Sequence, residues 1–155
     1  QSIGAAIGAQ LANPDRTVAA ICGDGCFAMN AFEIATAVAE GLPLRVFVFN
    51  DNRLGMVEAG HAKVYGRRAE YPTGLDAMAV AKGLGATAIR IDGPGQLDRA
   101  RELMRTTPGP VVVEVMIDQD VIMAAKDRVA AMKPGDAPTV TPPTQPVTRR
   151  LQLVN

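Results

Sequence analysis

Tryptophan is absent, and with two tyrosines and four phenylalanines the aromatic share is only 4%. So thin an aromatic supply argues against stacking on nucleic-acid bases. Charge of one sign is lacking too: 16 basic residues balance 16 acidic ones, which leaves no electrostatic footprint for nucleic acid. No apolar run reaches the roughly 18 residues of a membrane-spanning helix, and no basic-then-apolar stretch opens the chain as a signal peptide would. Cysteine is limited to Cys22 and Cys26, in neither a disulfide framework nor a zinc-type CxxC. Such usage suits a reducing cytoplasm better than secretion, so a cytoplasmic location is expected. The chain begins at Gln1, without Met and inside what reads as a helix; the expectation is a fragment, a processed chain or part of something longer.

What is present is an ordinary globular composition, 48% hydrophobic and 21% charged over 155 residues, enough for one domain with a real core. Ile3, Ala6, Ile7, Gln10 and Leu11 follow a helical spacing, with Gly4, Ala5, Gly8 and Ala9 small enough for close packing, and Asn13-Pro14-Asp15 stops the helix. Residues 17–22, TVAAIC, form the short unbroken apolar run of a buried parallel strand. Gly23-Asp24-Gly25-Cys26 then reads as a strand-to-helix loop. Asn30 with Glu33 predicts a capping box for a helix that carries Ile34, Ala35 and Val38 and ends at Gly41. Residues 44–50, LRVFVFN, give a second buried strand, and 51–73 read as an irregular, partly exposed connection.

Further on, the pattern predicts a helix over 75–83, a strand over 87–91, an amphipathic helix over 96–106 and a last strand over 110–117, PVVVEVMI. This alternation implies α/β architecture, a doubly wound parallel sheet with helices on both faces and right-handed crossovers. Five of the 11 prolines fall at 134, 138, 142, 143 and 146. The domain is therefore expected to span 1–132, followed by a Pro-rich tail over 133–155.

Asp24 lies just beyond the carboxyl end of a buried strand, where open parallel sheets bind ligands. Its flanking glycines allow a phosphate to approach without Cβ collisions, and the helix that follows directs N–H groups toward an anion. Asn50-Asp51 ends the next strand, so one crossover brings Asp51 beside Asp24. Magnesium takes hard oxygen ligands, commonly one or two carboxylates together with substrate phosphate. A lone Gly-Asp-Gly is most often a turn; paired with a second oxygen-bearing strand end, it reads as a metal-diphosphate site. A dinucleotide-binding domain is disfavoured, because no GxGxxG follows the first strand.

In that spacing the chain resembles the thiamine-diphosphate-dependent enzymes, whose diphosphate-binding domain carries Gly-Asp-Gly and then, after a helix and a strand, an Asn-Asn-like pair. Residues 7–26, IGAQLANPDRTVAAICGDGC, are similar to the family signature, with Ala19 standing where a larger apolar residue is usual. Residues 27–57, FAMNAFEIATAVAEGLPLRVFVFNDNRLGMV, resemble the matching stretch of acetolactate synthases, and the likeness runs from residue 1 to about 118. The resemblance implies that Asp24 and Asp51 supply side-chain oxygens to Mg2+ and Arg53 its backbone carbonyl. It places Gly23, Gly25 and Cys26 against the diphosphate of thiamine diphosphate, and Leu54, Gly55 and Met56 close to the cofactor, with Met56 toward substrate or the thiazolium. The implied activity is decarboxylation or carboligation of a 2-oxo acid, the cofactor serving as electron sink.

In such enzymes the Glu that activates the aminopyrimidine comes from a separate pyrimidine-binding domain or subunit. Neither Glu33 nor Glu58 is assigned to that role, and this segment alone is expected to be inactive. The implied assembly is a homodimer or homotetramer. A subunit of a split 2-oxo acid decarboxylase and a non-catalytic cofactor-binding module are the alternatives. His61 reads as a solvated loop residue and Arg67-Arg68 as surface charge. With Asp at position 51, where Asn is the commoner family residue, both side-chain ligands would be carboxylates, a concentration of negative charge that the metal and helix dipole must balance.

Overall fold

Four apolar stretches become four parallel strands in the computed structural model, which describes residues 1–67 and 69–121: β1 (Ala19–Gly23), β2 (Arg45–Asn50), β3 (Thr87–Ile91) and β4 (Val111–Met116). Their order across the sheet is β1-β2-β4-β3. Helix α1 (Ser2–Ala12) precedes β1; α2 (Asp24–Asn30) and α3 (Glu33–Ala39) join β1 to β2; α4 (Gly55–Tyr65) and α5 (Ala77–Gly83) join β2 to β3; α6 (Leu97–Thr106) joins β3 to β4.

Alternate side chains of β2, β3 and β4 serve two separate cores, whereas β1, expected to be a buried strand, packs on one face only and leaves Ala19 and Ile21 exposed on the other. Ala20, Cys22, Val46, Val48, Ala88 and Val112 pack with Ile3 and Ile7 of α1, Phe27 of α2, Ile34 and Ala37 of α3, and Ala77 and Ala81 of α5. On the opposite face Ile91, Val111 and Val113 pack with Ala100 of α6, flanked by the half-buried Leu103 and Met104. A strand covered on both faces has no polar side to alternate with, so its sequence reads as an unbroken apolar run. The doubly wound parallel α/β arrangement expected from the sequence is the one observed. Ile34 is fully buried; Ile34→Ala is expected to cost about 2–5 kcal/mol in chemical denaturation, through lost burial and the cavity left behind.

Several local expectations are corrected. No loop separates β1 from the next helix: α2 begins at Asp24 itself, and its inward turn is anchored by the fully buried Phe27. The capping box does not form. Asn30 is the last residue of α2 and donates its amide to the Cys26 carbonyl, while Ala31 and Phe32 keep helical backbone angles and α3 starts without a side-chain cap. An N-cap needs extended backbone, which Asn30 lacks. Gly4, Ala5, Gly8 and Ala9 are exposed, and a Cβ at either glycine would meet nothing, so they form the outer face of α1 rather than a close-packed one. Within 51–73, the supposedly irregular connection holds the 11-residue α4, closed by Gly66 in left-handed conformation (φ 64°). No described helix is long and apolar enough to cross a membrane. The expected boundary at 132/133 and the Pro-rich tail lie outside the described residues.

Candidate functional site

Strands β1 and β2 pair in register from Ala19↔Arg45 to Gly23↔Phe49, so Asp24 and Asn50 leave the sheet side by side at its carboxyl end. Asp24 is 4% exposed. Its Oδ1 accepts the Gly25 N–H at 2.9 Å and its Oδ2 accepts the Thr73 hydroxyl at 2.6 Å. Both donors are neutral, and among the described residues no cation pairs with it. A carboxylate buried on these terms carries a desolvation cost that a bound cation would offset.

The 51–54 segment is drawn against Asp24 by a short antiparallel bridge between Arg53 and Pro72. The Thr73 N–H donates to the Asn52 carbonyl at 3.0 Å and the Leu54 N–H to the Tyr71 carbonyl at 2.8 Å. Thr73 therefore binds both halves of the site, one through its hydroxyl and the other through its backbone. The Leu54 side chain closes onto Gly25, where a Cβ would collide with it. In this bridge the Arg53 carbonyl accepts no hydrogen bond from any described residue, which leaves it open to a ligand.

Asp51 is partly buried, and its Oδ2 lies 3.3 Å from Arg53 Nε. Arg53 Nη1 reaches Glu58 Oε2 at 3.5 Å, and Nη2 donates to the Gln119 carbonyl. Gln119 returns a bond from its amide to the Asp51 carbonyl at 2.7 Å. A Cβ on Gly55 would come within 2.8 Å of Asp51 Oδ2, so glycine there lets the carboxylate lie against the first turn of α4. The crowding of negative charge read from the sequence is thus relieved by the guanidinium two residues on.

Of the residues singled out in the sequence, Gly23 ends β1, Asp24, Gly25 and Cys26 open α2, Asp51, Arg53 and Leu54 form the segment facing them, and Gly55 and Met56 open α4. Cys26 and Met56 are exposed. Cys22 is buried in the core, and that burial raises its thiol pKa. His61 sits in α4 rather than in a loop; its Nδ1 meets the Arg67 carbonyl at 3.0 Å and its ring lies 4.7 Å from that of Tyr65, tilted by 42°. Arg67 is exposed, and Arg68 lies outside the described residues. Glu58 is buried and committed to the Tyr71 N–H, at 2.9 Å, and to Arg53.

Two contributors went unrecognised in the sequence. Thr73 is one, and it carries no local signature. The other is Glu114, fully buried on β4. Its Oε1 accepts the Asn50 amide at 2.7 Å and the Ala77 N–H at 3.0 Å; its Oε2 accepts the Met78 N–H at 3.2 Å and Arg90 Nε at 2.8 Å. That bond, seconded by Asp76, raises the Arg90 guanidinium pKa. Asn50 in turn accepts the Asn52 N–H at 2.8 Å, and Asn52 takes a left-handed φ of 57°. A glutamate in the middle of PVVVEVMI was the available signal, since a strand covered on both faces tolerates a charge only when it is paired.

Residues 1–115 match the sequence family described as thiamine pyrophosphate enzyme, C-terminal TPP binding domain. The chain is 37% identical over 123 residues to acetolactate synthase 1, chloroplastic, of Zea mays, an alignment covering 73% of this chain and 19% of the relative. It is 35% identical over 125 residues to acetolactate synthase of Bacillus subtilis strain 168, covering 79% and 22%. It is 33% identical over 136 residues to acetolactate synthase isozyme 1 large subunit of Escherichia coli K12, covering 86% and 23%. The chain thus spans about a fifth of the length of these relatives.

Proposed function

The chain belongs to the C-terminal, thiamine pyrophosphate-binding domain family of the thiamine pyrophosphate enzymes, and from that membership we propose that it holds the magnesium-diphosphate end of the cofactor in an acetolactate-synthase-like enzyme. The observation that carries the reading is Asp24, a buried carboxylate paired with no cation among the described residues, set at a strand end and tied through Thr73 to the segment that bears Asp51 and the open Arg53 carbonyl. All three donors are hard oxygens. No described cluster of three His, Cys, Asp or Glu side chains forms a metal cage, and two carboxylates with one carbonyl suit Mg2+, which completes its shell with phosphate oxygens and water.

In this reading Asp24, Asp51 and the Arg53 carbonyl hold the metal. The Cys26 N–H, in the first turn of α2 and without an intrahelical partner, faces the diphosphate; Gly23 brings no side chain to the approach, and Gly25 makes room for the Leu54 side chain that closes over it. Leu54 and Gly55 border the cofactor, and the exposed Met56 is turned toward substrate. Bound thiamine diphosphate supplies an electron sink for decarboxylation of a 2-oxo acid and for joining the resulting fragment to a second carbonyl. The glutamates near the site are occupied: Glu58 by Arg53 and Tyr71, Glu114 by four donors. This supports a partner domain or subunit as the source of the activating Glu, within a homodimer or homotetramer. The free thiols of Cys22 and Cys26 accord with a reducing compartment, proposed to be the cytoplasm.

Calorimetric titration of the assembled full-length protein with thiamine diphosphate is the test. Binding is expected with Mg2+ and not without it. Equal affinity in the absence of metal would remove the metal site, and no binding under either condition would remove the reading altogether.

A further inference from the structure

Among the described residues, three carboxylates and one cation are assembled at the edge of this site. Asp24 is buried, Asp51 and Glu58 both lie on the Arg53 guanidinium, and Arg53 is itself only 17% exposed at its side chain. The formal sum is −2, the charge that one divalent cation neutralises. Without the guanidinium the sum would be −3, and a metal-loaded site would still repel a diphosphate. In low-dielectric surroundings one uncompensated charge within a few ångströms weighs heavily.

The geometry also divides the labour at Asp51. Oδ2 faces Arg53 Nε and the Gly55 backbone, while Oδ1 has no hydrogen-bond partner among the described residues. We propose that the Arg53 side chain is the built-in counter-charge of the metal-diphosphate site. It fixes Asp51 through one oxygen, leaves the other for the divalent cation, and sets the protein's charge so that metal loading makes the site neutral and receptive to diphosphate. This role belongs to the guanidinium and is separate from that of the Arg53 carbonyl. It rests on the metal-diphosphate reading above.

A charge role and a merely structural one differ in sign. In the assembled full-length protein, Mn2+ binding alone can be followed by electron paramagnetic resonance, and thiamine diphosphate binding at saturating Mn2+ by calorimetry. For Arg53→Gln the bare Mn2+ affinity is expected to hold or rise, because the site becomes more negative, while the thiamine diphosphate affinity falls about tenfold or more. Adding Glu58→Gln in that background restores the sum of −2 without touching a proposed ligand, and is expected to recover most of the lost diphosphate affinity. Arg53→Lys keeps the charge but not the three-way fork, and is expected to retain clearly more diphosphate affinity than Arg53→Gln. Parallel loss of metal and diphosphate affinity with no rescue by Glu58→Gln would overturn the proposal, as would an Arg53→Gln protein that binds both as the wild type does. A wild-type protein that binds neither Mn2+ nor cofactor would instead overturn the functional reading on which it rests.

Discussion

Asp24→Asn is expected to leave the metal-free protein as stable as the wild type or more so, while weakening metal-dependent binding of thiamine diphosphate by about a hundredfold or more. The two halves follow from the same burial. Asp24 is 4% exposed and held by a hydroxyl and one backbone N–H, neither of which compensates a full charge. Asparagine fits the same volume, keeps an oxygen for the Gly25 N–H, and can donate its amide to the Thr73 hydroxyl, which reverses its role. Removing a charge buried without a counter-ion should therefore cost nothing in the absence of metal. With metal present the lost carboxylate is a lost ligand, and outer partners of metal ligands alone are worth roughly 10–100-fold in affinity. Thr73→Val calibrates the scale: it spares the carboxylate, removes the 2.6 Å bond that orients it, and should fall within that roughly 10–100-fold range. Denaturation without metal and calorimetry with Mg2+, on the same preparations, check both directions. If Asp24→Asn destabilises the metal-free protein and leaves cofactor affinity intact, Asp24 is a structural carboxylate and the assignment of the site is wrong.

How much of this was legible in the sequence depends on how local each signal is. The strands were, because apolar runs such as VFVF and VVV stand out whether both faces are buried, as in the VVV of β4, or one is partly open, as at Phe49 of β2, and the strand expected over 87–91 is β3 to the residue. Helix α6 showed its stripe through Ala100, Leu103 and Met104, although Leu97, placed on the same side, is 55% exposed. Helix α4 was invisible for a physical reason: Met56, Val57, Val64 and Tyr65 are all exposed, so no apolar face repeats against the core. The location of the candidate site at the strand ends was readable from the spacing of Asp24 and Asp51. What holds it together was not. Thr73 meets Asp24 across 49 positions, Arg53 meets Gln119 across 66, and Glu114 meets Asn50 across 64. Contacts that distant leave no periodic trace, and only the anomaly of a charge inside a valine run pointed to any of them.

That anomaly carries the last expectation. Glu114→Gln should destabilise the protein by about 3 kcal/mol or more and, in molecules that remain folded, weaken metal-dependent cofactor binding by about tenfold or more. The carboxylate accepts four hydrogen bonds and donates none. An amide keeps one acceptor oxygen and turns two N–H groups toward donors, so in either orientation two of the four partners are left facing another donor. Arg90 can escape, since it is 32% exposed at its side chain and retains Asp76 at 2.7 Å. Asn50 and the first turn of α5 cannot: Asn50 is 1% exposed and also holds the Asn52 N–H that precedes the open Arg53 carbonyl. The strain therefore passes into the segment carrying Asp51 and Arg53, not into the core at large. Ile34→Ala supplies the control, because it should cost comparable stability from a position outside this chain of bonds. Matched destabilisation with cofactor affinity lost only in Glu114→Gln identifies Glu114 as a positioning residue for the site. If both variants keep full affinity, or both lose it in step with stability, Glu114 does no more than close the fold.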